Sequence, residues 1–180
     1  YILRCIGVIG VILSLTLAFT CLAAAQGQVG AVLQQANELL ATKQFSNIEQ
    51  AIELLEKALA GEPQNGDLLW TLAKAYLYLG DRTTDQKLAV YEKGKAYADQ
   101  AVEVVPNNPH GHYWQGALMG RIGQTRGVLN SLFMVRPLQE AMERVLELDD
   151  RYADAHYVLS SLYDQAPGWP LSVGNKNKAL

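Results

Sequence analysis

Ala58-Leu-Ala-Gly-Glu-Pro63 returns as Ala101-Val-Glu-Val-Val-Pro106, a step of 43, and Val145-Leu-Glu-Leu-Asp-Asp150 follows after a step of 44. Behind each copy comes a stretch of aromatic and small residues: Leu68-Leu-Trp-Thr-Leu-Ala-Lys-Ala-Tyr76, Gly111-His-Tyr-Trp-Gln-Gly-Ala-Leu-Met119 and Ala155-His-Tyr-Val-Leu-Ser-Ser-Leu-Tyr163. A unit of this length cannot bury its apolar face alone and must stack on its neighbours. The repetition predicts a helical array, whose ordinary task is to hold another molecule.

The pattern between the copies is helical. Val32, Leu33, Ala36, Leu39 and Leu40 recur at spacings of three and four, as do Ile48, Ala51, Ile52, Leu55, Ala58 and Leu59. Gly61-Glu-Pro63-Gln-Asn-Gly66 and Pro106-Asn-Asn-Pro109 break the chain. Helices are predicted over about 67–79, 85–105 and 109–122, over a stretch including 138–148, and over 152–164. Strand alternation is missing, so the fold class is all-α. The organisation expected is an apolar segment at 1–25 and a repeat domain at 26–180, with units at about 29–65, 66–108, 109–151 and a truncated 152–180.

Bulk composition narrows the function. The chain has 180 residues, 49% of them hydrophobic, and a net charge of −3. With no basic excess, nucleic acid is not an expected partner. Cys5 and Cys21 both fall in the first apolar stretch, which leaves the repeats without a thiolate for a disulfide or metal site.

Arg4 precedes an uncharged run from Cys5 to Ala25 that ends in Ala23-Ala24-Ala25. A basic flank, an apolar stretch and a small-residue end fit an export signal; the run is also about 20 residues, long enough for a bilayer anchor. The expected setting is therefore a secreted or periplasmic protein, or one anchored in a bacterial membrane with the repeats outside the cytoplasm. The ending at Lys178-Ala-Leu180 reads as the interior of a helix, which suggests a piece of a longer protein.

Leu72, Ala73, Tyr76, Gly80, Ala101 and Pro106 stand in the order used by tetratricopeptide repeats, which the chain resembles. The next unit offers Gly116, Gly123 and Val145, and the last Leu159 and Tyr163. A standard unit is about 34 residues, and these are longer. Length alone suits a HEAT-type array of about 40–47 residues, while the side-chain signature favours tetratricopeptide units. The excess falls at 81–90 and 124–136, between the helices of a pair. Lengthened connections of this kind, with the Leu-Trp start and the Pro-Gly-Trp-Pro end of 68–169, look similar to two divergent groups. These are the tetratricopeptide component of TRAP-type transporters and the regulator of microtubule dynamics family.

Such a resemblance implies an α-solenoid in which the first helix of each pair lines a concave groove. Trp70, Tyr113 and Tyr157 are equivalent positions at the same steps and should form an aromatic column there, with Lys74, Tyr78 and Arg121 beside it. Aromatic area with polar tips suits a peptide or an apolar ligand, whereas simple packing of adjacent helices is the alternative role for the rings. Ala117 and Ser161 stand where a carboxylate clamp would need polar or basic side chains, so capture of a C-terminal tail is disfavoured.

His110 and His112 form a His-x-His pair, and His156 is the equivalent of His112. No cysteine or carboxylate cluster completes a metal site around them, and helix starts favour polar residues anyway. No metal or cofactor is expected. Nor does any Ser/His/Asp grouping, phosphate loop or HExxH motif suggest catalysis.

The apolar stretch Gly127-Val-Leu-Asn-Ser-Leu-Phe-Met-Val135 could serve as a lid, an interface or core filling, with core filling the default. The function expected is a scaffold for a protein or peptide partner, with a transporter or envelope complex as candidate. The alternative is a periplasmic carrier for an apolar small molecule or lipid.

Overall fold

The computed structural model describes residues 27–168 and 172–179, and the apolar run 5–25 lies outside them. Its helices, in chain order, are α1 (27–41), α2 (Phe45–Gly61), α3 (Gly66–Arg82), α4 (Lys87–Val104), α5 (Pro109–Arg126), α6 (Val128–Leu148) and α7 (Ala153–Gln165). An isolated bridge joins Gly168 to Gly174, and no strand forms among the described residues. The all-α expectation agrees with this architecture.

Close approaches give the helices their direction. Gly66, at the start of α3, lies against Val105 just past the end of α4, and Gly80, near the end of α3, lies against the Tyr91 ring near the start of α4. The pair is therefore antiparallel, and a side-chain carbon at Gly80 would run into that buried ring. α5 and α6 repeat the arrangement, with Gly123 under Met134 at one end and Gly116 under Met142 further along. From α2 onward each helix packs on the next, and α3 also touches α5 directly.

Loops at one end carry the helix-start chemistry the repetition implies. Asn65 Oδ1 accepts from the backbone N–H groups of Asp67 and Leu68, at 3.1 and 3.2 Å. Asn108 Oδ1 accepts from His110 N at 2.9 Å, which caps α5 in the same way. The third loop has Tyr152 in that place, without a side-chain cap. His112 Nε2 donates to Pro106 O at 2.9 Å and His156 Nε2 to Asp150 O at 2.8 Å, so the two equivalent histidines tie down equivalent loop carbonyls.

The core runs along the stack as three clusters. Leu40, Ile48, Leu55, Leu68 and Leu72 fill the first, Tyr91, Ala98, Leu118 and Ile122 the second, and Met142, Val145, Ala155 and Leu159 the third. Each fully buried leucine contributes about 2 kcal/mol, and so apolar burial holds the helices together. A polar tie adds to it outside the core. Glu56 Oε1 accepts from Tyr76 Oη at 2.7 Å, Lys93 Nζ at 3.0 Å and Tyr97 Oη at 3.1 Å, linking α2, α3 and α4. Burial works against the Glu56 carboxylate, but these donors outweigh it and leave its pKa lowered.

Two sequence expectations are corrected. The stretch at 127–135 is not a connector: α5 ends at Arg126 and α6 begins at Val128, with Gly127 at φ 98 as the hinge. That backbone region favours glycine and lets the chain reverse within one residue. The inserted length therefore becomes two extra turns of helix. Val135 is buried there, but Leu129 and Phe133 are 73% and 76% exposed, so core filling describes only part of the stretch. The ending is not helical either. Residues 172–179 fold back on α7, where Asn175 N donates to Tyr163 O at 2.9 Å and Ser160 Oγ to Ala179 O at 2.5 Å.

Candidate functional site

Residues of α3, α5 and α7, with Leu138 of α6, line a cleft of about 580 Å³. Tyr78, Tyr113, Arg121 and Tyr157 all line it, together with Lys43, Asp81, Trp114 and Asp154. Tyr157 stands 75% exposed at its rim. Tyr113 sits deeper, and burial pushes its hydroxyl up to about 12, with the Asp154 carboxylate adding to the effect. It is a neutral hydrogen-bonding group at physiological pH.

Charge in the cleft is partly internal. Arg121 Nε lies 3.1 Å from Asp81 Oδ1, and its Nη2 donates to Oδ2 at 3.1 Å. The same carboxylate accepts from Tyr91 Oη at 2.7 Å, which ties α3, α4 and α5 together beside the cleft. Arg121 is thus held by a protein carboxylate as well as facing the opening. Lys43, from the turn between α1 and α2, sits 5.7 Å from the centre of the Tyr78 ring, within cation–π range.

Trp70 and Lys74 do not line the cleft, although Lys74 Nζ lies 6.0 Å from the centre of the Tyr78 ring. Trp70 Nε1 donates to Asp67 Oδ1 at 2.9 Å, and its ring stacks on His110 with centroids 4.6 Å apart. From there a chain of ring contacts runs through Tyr152 to Tyr113, Trp114 and Tyr78. Lys74 Nζ donates to Asn37 Oδ1 at 3.0 Å, and burial lowers its pKa. Trp70 therefore reaches the cleft only through intervening rings.

Lys43, Asp81, Trp114 and Asp154 had no signature in the sequence. Trp114 follows Tyr113 by one residue, which turns it about 100° around the helix, and repeat alignment alone does not tell which of the two faces the opening. Among the described residues no group of three or more His, Cys, Asp or Glu side chains is close enough to hold a metal ion.

The family model described as "Regulator of microtubule dynamics protein 1-3" matches residues 32–163, which takes in α3, α5 and all of α7 but its last two residues. The chain belongs to the regulator of microtubule dynamics protein 1-3 family. It is similar to regulator of microtubule dynamics protein 3 of Rattus norvegicus, 25% identical over 130 residues, covering 71% of this chain and 27% of the relative. The protein of the same name from Bos taurus is 27% identical over 136 residues, covering 74% and 29%. That from Mus musculus is 28% identical over 131 residues, covering 71% and 27%. The chain thus spans less than a third of the length of the curated relatives it matches.

These relatives correct the expected location. They are mammalian, so a bacterial periplasm or bacterial membrane is not the setting they support. No helix among the described residues is long and apolar enough to cross a membrane. The physical reason for the error is plain. A basic flank and an apolar run report length and charge, and carry nothing about the kind of cell.

Proposed function

We propose that this domain is a non-catalytic interaction module whose cleft between α3, α5 and α7 holds a segment of a protein partner. The observation that carries the reading is the convergence of Tyr78, Tyr113, Trp114 and Tyr157 on one open cleft. Rings with polar tips give large contact area at small entropic cost, which is why tyrosine and tryptophan dominate binding hot spots. The polar groups at the cleft are tyrosines, the Asp81–Arg121 pair and exposed charges, a set suited to recognition.

The helix pairs are best understood as lengthened tetratricopeptide-like units. Antiparallel helices that meet at Gly80 and Gly123, one repeat step apart, support that reading. The relatives' name adds the setting: an assembly linked to microtubules. An apolar carrier fits less well, because Lys43, Asp81, Arg121 and Asp154 bring four charged groups to the cleft.

Sedimentation of the chain with polymerised tubulin, alone and with candidate partner proteins, tests the reading. Tyr113→Ala with Tyr157→Ala should cut co-sedimentation about tenfold, the loss of about 1.4 kcal/mol or more that two hot-spot rings imply. Unchanged binding by that double variant would move the interaction off the cleft.

A further inference from the structure

The turns 42–44, 83–86 and Gly127 lie at one end of the stack, as the contacts of Lys43 with Tyr78, Arg126 with Glu92 and Gly123 with Met134 show. The loops 62–65, 105–108 and 149–152 lie at the other, joined there by Gly66 against Val105 and Arg144 Nη2 to Asn107 Oδ1.

The two ends differ in charge. From Gln115 to Gln139 the chain has Arg121, Arg126 and Arg136 and no acidic residue. Lys43, Arg82 and Lys87 stand at the same end, and the carboxylates there are Asp81 and Glu92, paired with Arg121 and Arg126, and Asp85, so cations still outnumber them. Among the described residues no carboxylate lies within ion-pair distance of Lys43, Arg82, Lys87 or Arg136. The opposite end carries Glu62, Asp67, Glu103, Glu147, Asp149 and Asp150 against Arg144 and Arg151, an acidic excess.

The basic end also carries exposed apolar area. Leu129 and Phe133, one turn apart on α6, are 73% and 76% exposed, and Leu132 beside them is 36% exposed. Arg136 continues the same face. Contiguous apolar side chains left in water mark an interaction surface more often than an accident of packing.

We propose that this end of the stack, centred on the start of α6, docks an acidic protein segment that bears apolar side chains. The apolar steps of α6 supply the buried contact, and the four unpaired cations around the end supply selectivity and steering. The apolar steps of α6 lie outside the aromatic cleft, and of the four cations only Lys43 lines that cleft as well.

The probe is a fluorescent glutamate-rich peptide containing leucine and phenylalanine, with its lysine-for-glutamate counterpart as control, titrated with the full chain. The acidic peptide should bind and the basic one should not. Raising salt from about 50 to about 300 mM should weaken binding, since the Debye length shortens and exposed charges are screened more strongly. Lys87→Glu with Arg136→Glu, and separately Leu129→Ser with Phe133→Ser, should each cost about tenfold or more, while Tyr113→Ala with Tyr157→Ala should change nothing.

Failure of the acidic peptide to bind, equal affinity for both peptides, or wild-type affinity in both variants would overturn the proposal. Self-association that Leu129→Ser with Phe133→Ser abolishes would assign the face to a second copy and overturn it as well. Binding to anionic vesicles through these residues without binding to the peptide would do the same. Because the cleft variant is a control here, failure of this proposal and failure of the cleft reading give different results.

Discussion

The Trp70 indole stacks on the His110 imidazole, with ring centroids 4.6 Å apart and planes 28° from parallel. One ring comes from the fifth residue of α3 and the other from the second residue of α5, so the contact locks two neighbouring helices near their starts. Trp70→Ala should therefore lower stability by about 3 kcal/mol or somewhat less, given that the ring is only partly buried. It should leave binding through the cleft unchanged. Urea unfolding together with a binding titration checks both halves; a variant that keeps its stability but loses the partner would put Trp70 back in the site.

His110 also makes the domain sensitive to mild acid. Burial holds its pKa below the usual 6.5; Asp67 and Asp149 pull it upward and Lys74 pushes it down. Its Nδ1 lies 3.0 Å from Tyr152 Oη. The unfolded chain takes up a proton at a pH where the folded one does not. Stability is complete above about 6.5 and declines as pH falls from there through the folded-state value. Thermal unfolding between about pH 7.5 and about pH 5 should show that decline, and His110→Gln should flatten it. A wild-type Tm that stays level across this range would contradict the assignment.

Gly80 tests the packing of the α3–α4 pair. Alanine gains about 1 kcal/mol of helix propensity over glycine, but its methyl would meet the Tyr91 ring, which is 2% exposed and has nowhere to move. Overpacking of this kind costs about 1–3 kcal/mol, so Gly80→Ala should be a net loss. A lower urea midpoint is the expected result, and a midpoint at or above wild type would contradict the close approach.

Tyr91→Phe isolates the tie beside the cleft. The hydroxyl donates to Asp81, which also holds Arg121, and its removal should cost about 1.5–3 kcal/mol, toward the lower figure because water can reach the carboxylate. Burial holds the Tyr91 hydroxyl well above the ordinary tyrosine range, with the hydrogen bond to Asp81 adding to the shift. It therefore stays a donor through neutral and mildly alkaline pH, and the loss on mutation should be flat across that range.

Much of this architecture can be read from the residues alone, and the reasons differ by element. The helices and their pairing follow from periodic leucines and alanines, and the loop caps from Asn65 and Asn108 at matching places. The shape of the 127–135 segment does not. Its apolar residues fit a buried loop as well as an exposed helix, and Pro137 argues against helix locally because it leaves the Phe133 carbonyl without its usual donor. Burial of the rest of α6 overrides that local preference.

The site is legible in part for a similar reason. Repeat spacing finds which positions are equivalent and so brings Tyr113 and Tyr157 to the same cleft. Pairings between distant residues leave no such trace. Arg121 and Asp81 are 40 positions apart, and Lys74 and Asn37 are 37 apart. Each cation is partly occupied by a partner that no periodicity announces.

The most direct measurement places a photo-crosslinking side chain at Tyr157 in the full chain, with a matched one at Glu53 on the exposed face of α2 as control. The account predicts that a protein partner is captured from the Tyr157 position, that Tyr113→Ala suppresses the capture, and that purified partner binds this variant about tenfold more weakly. Equal capture from Glu53, or capture at Tyr157 that Tyr113→Ala leaves intact, would contradict it.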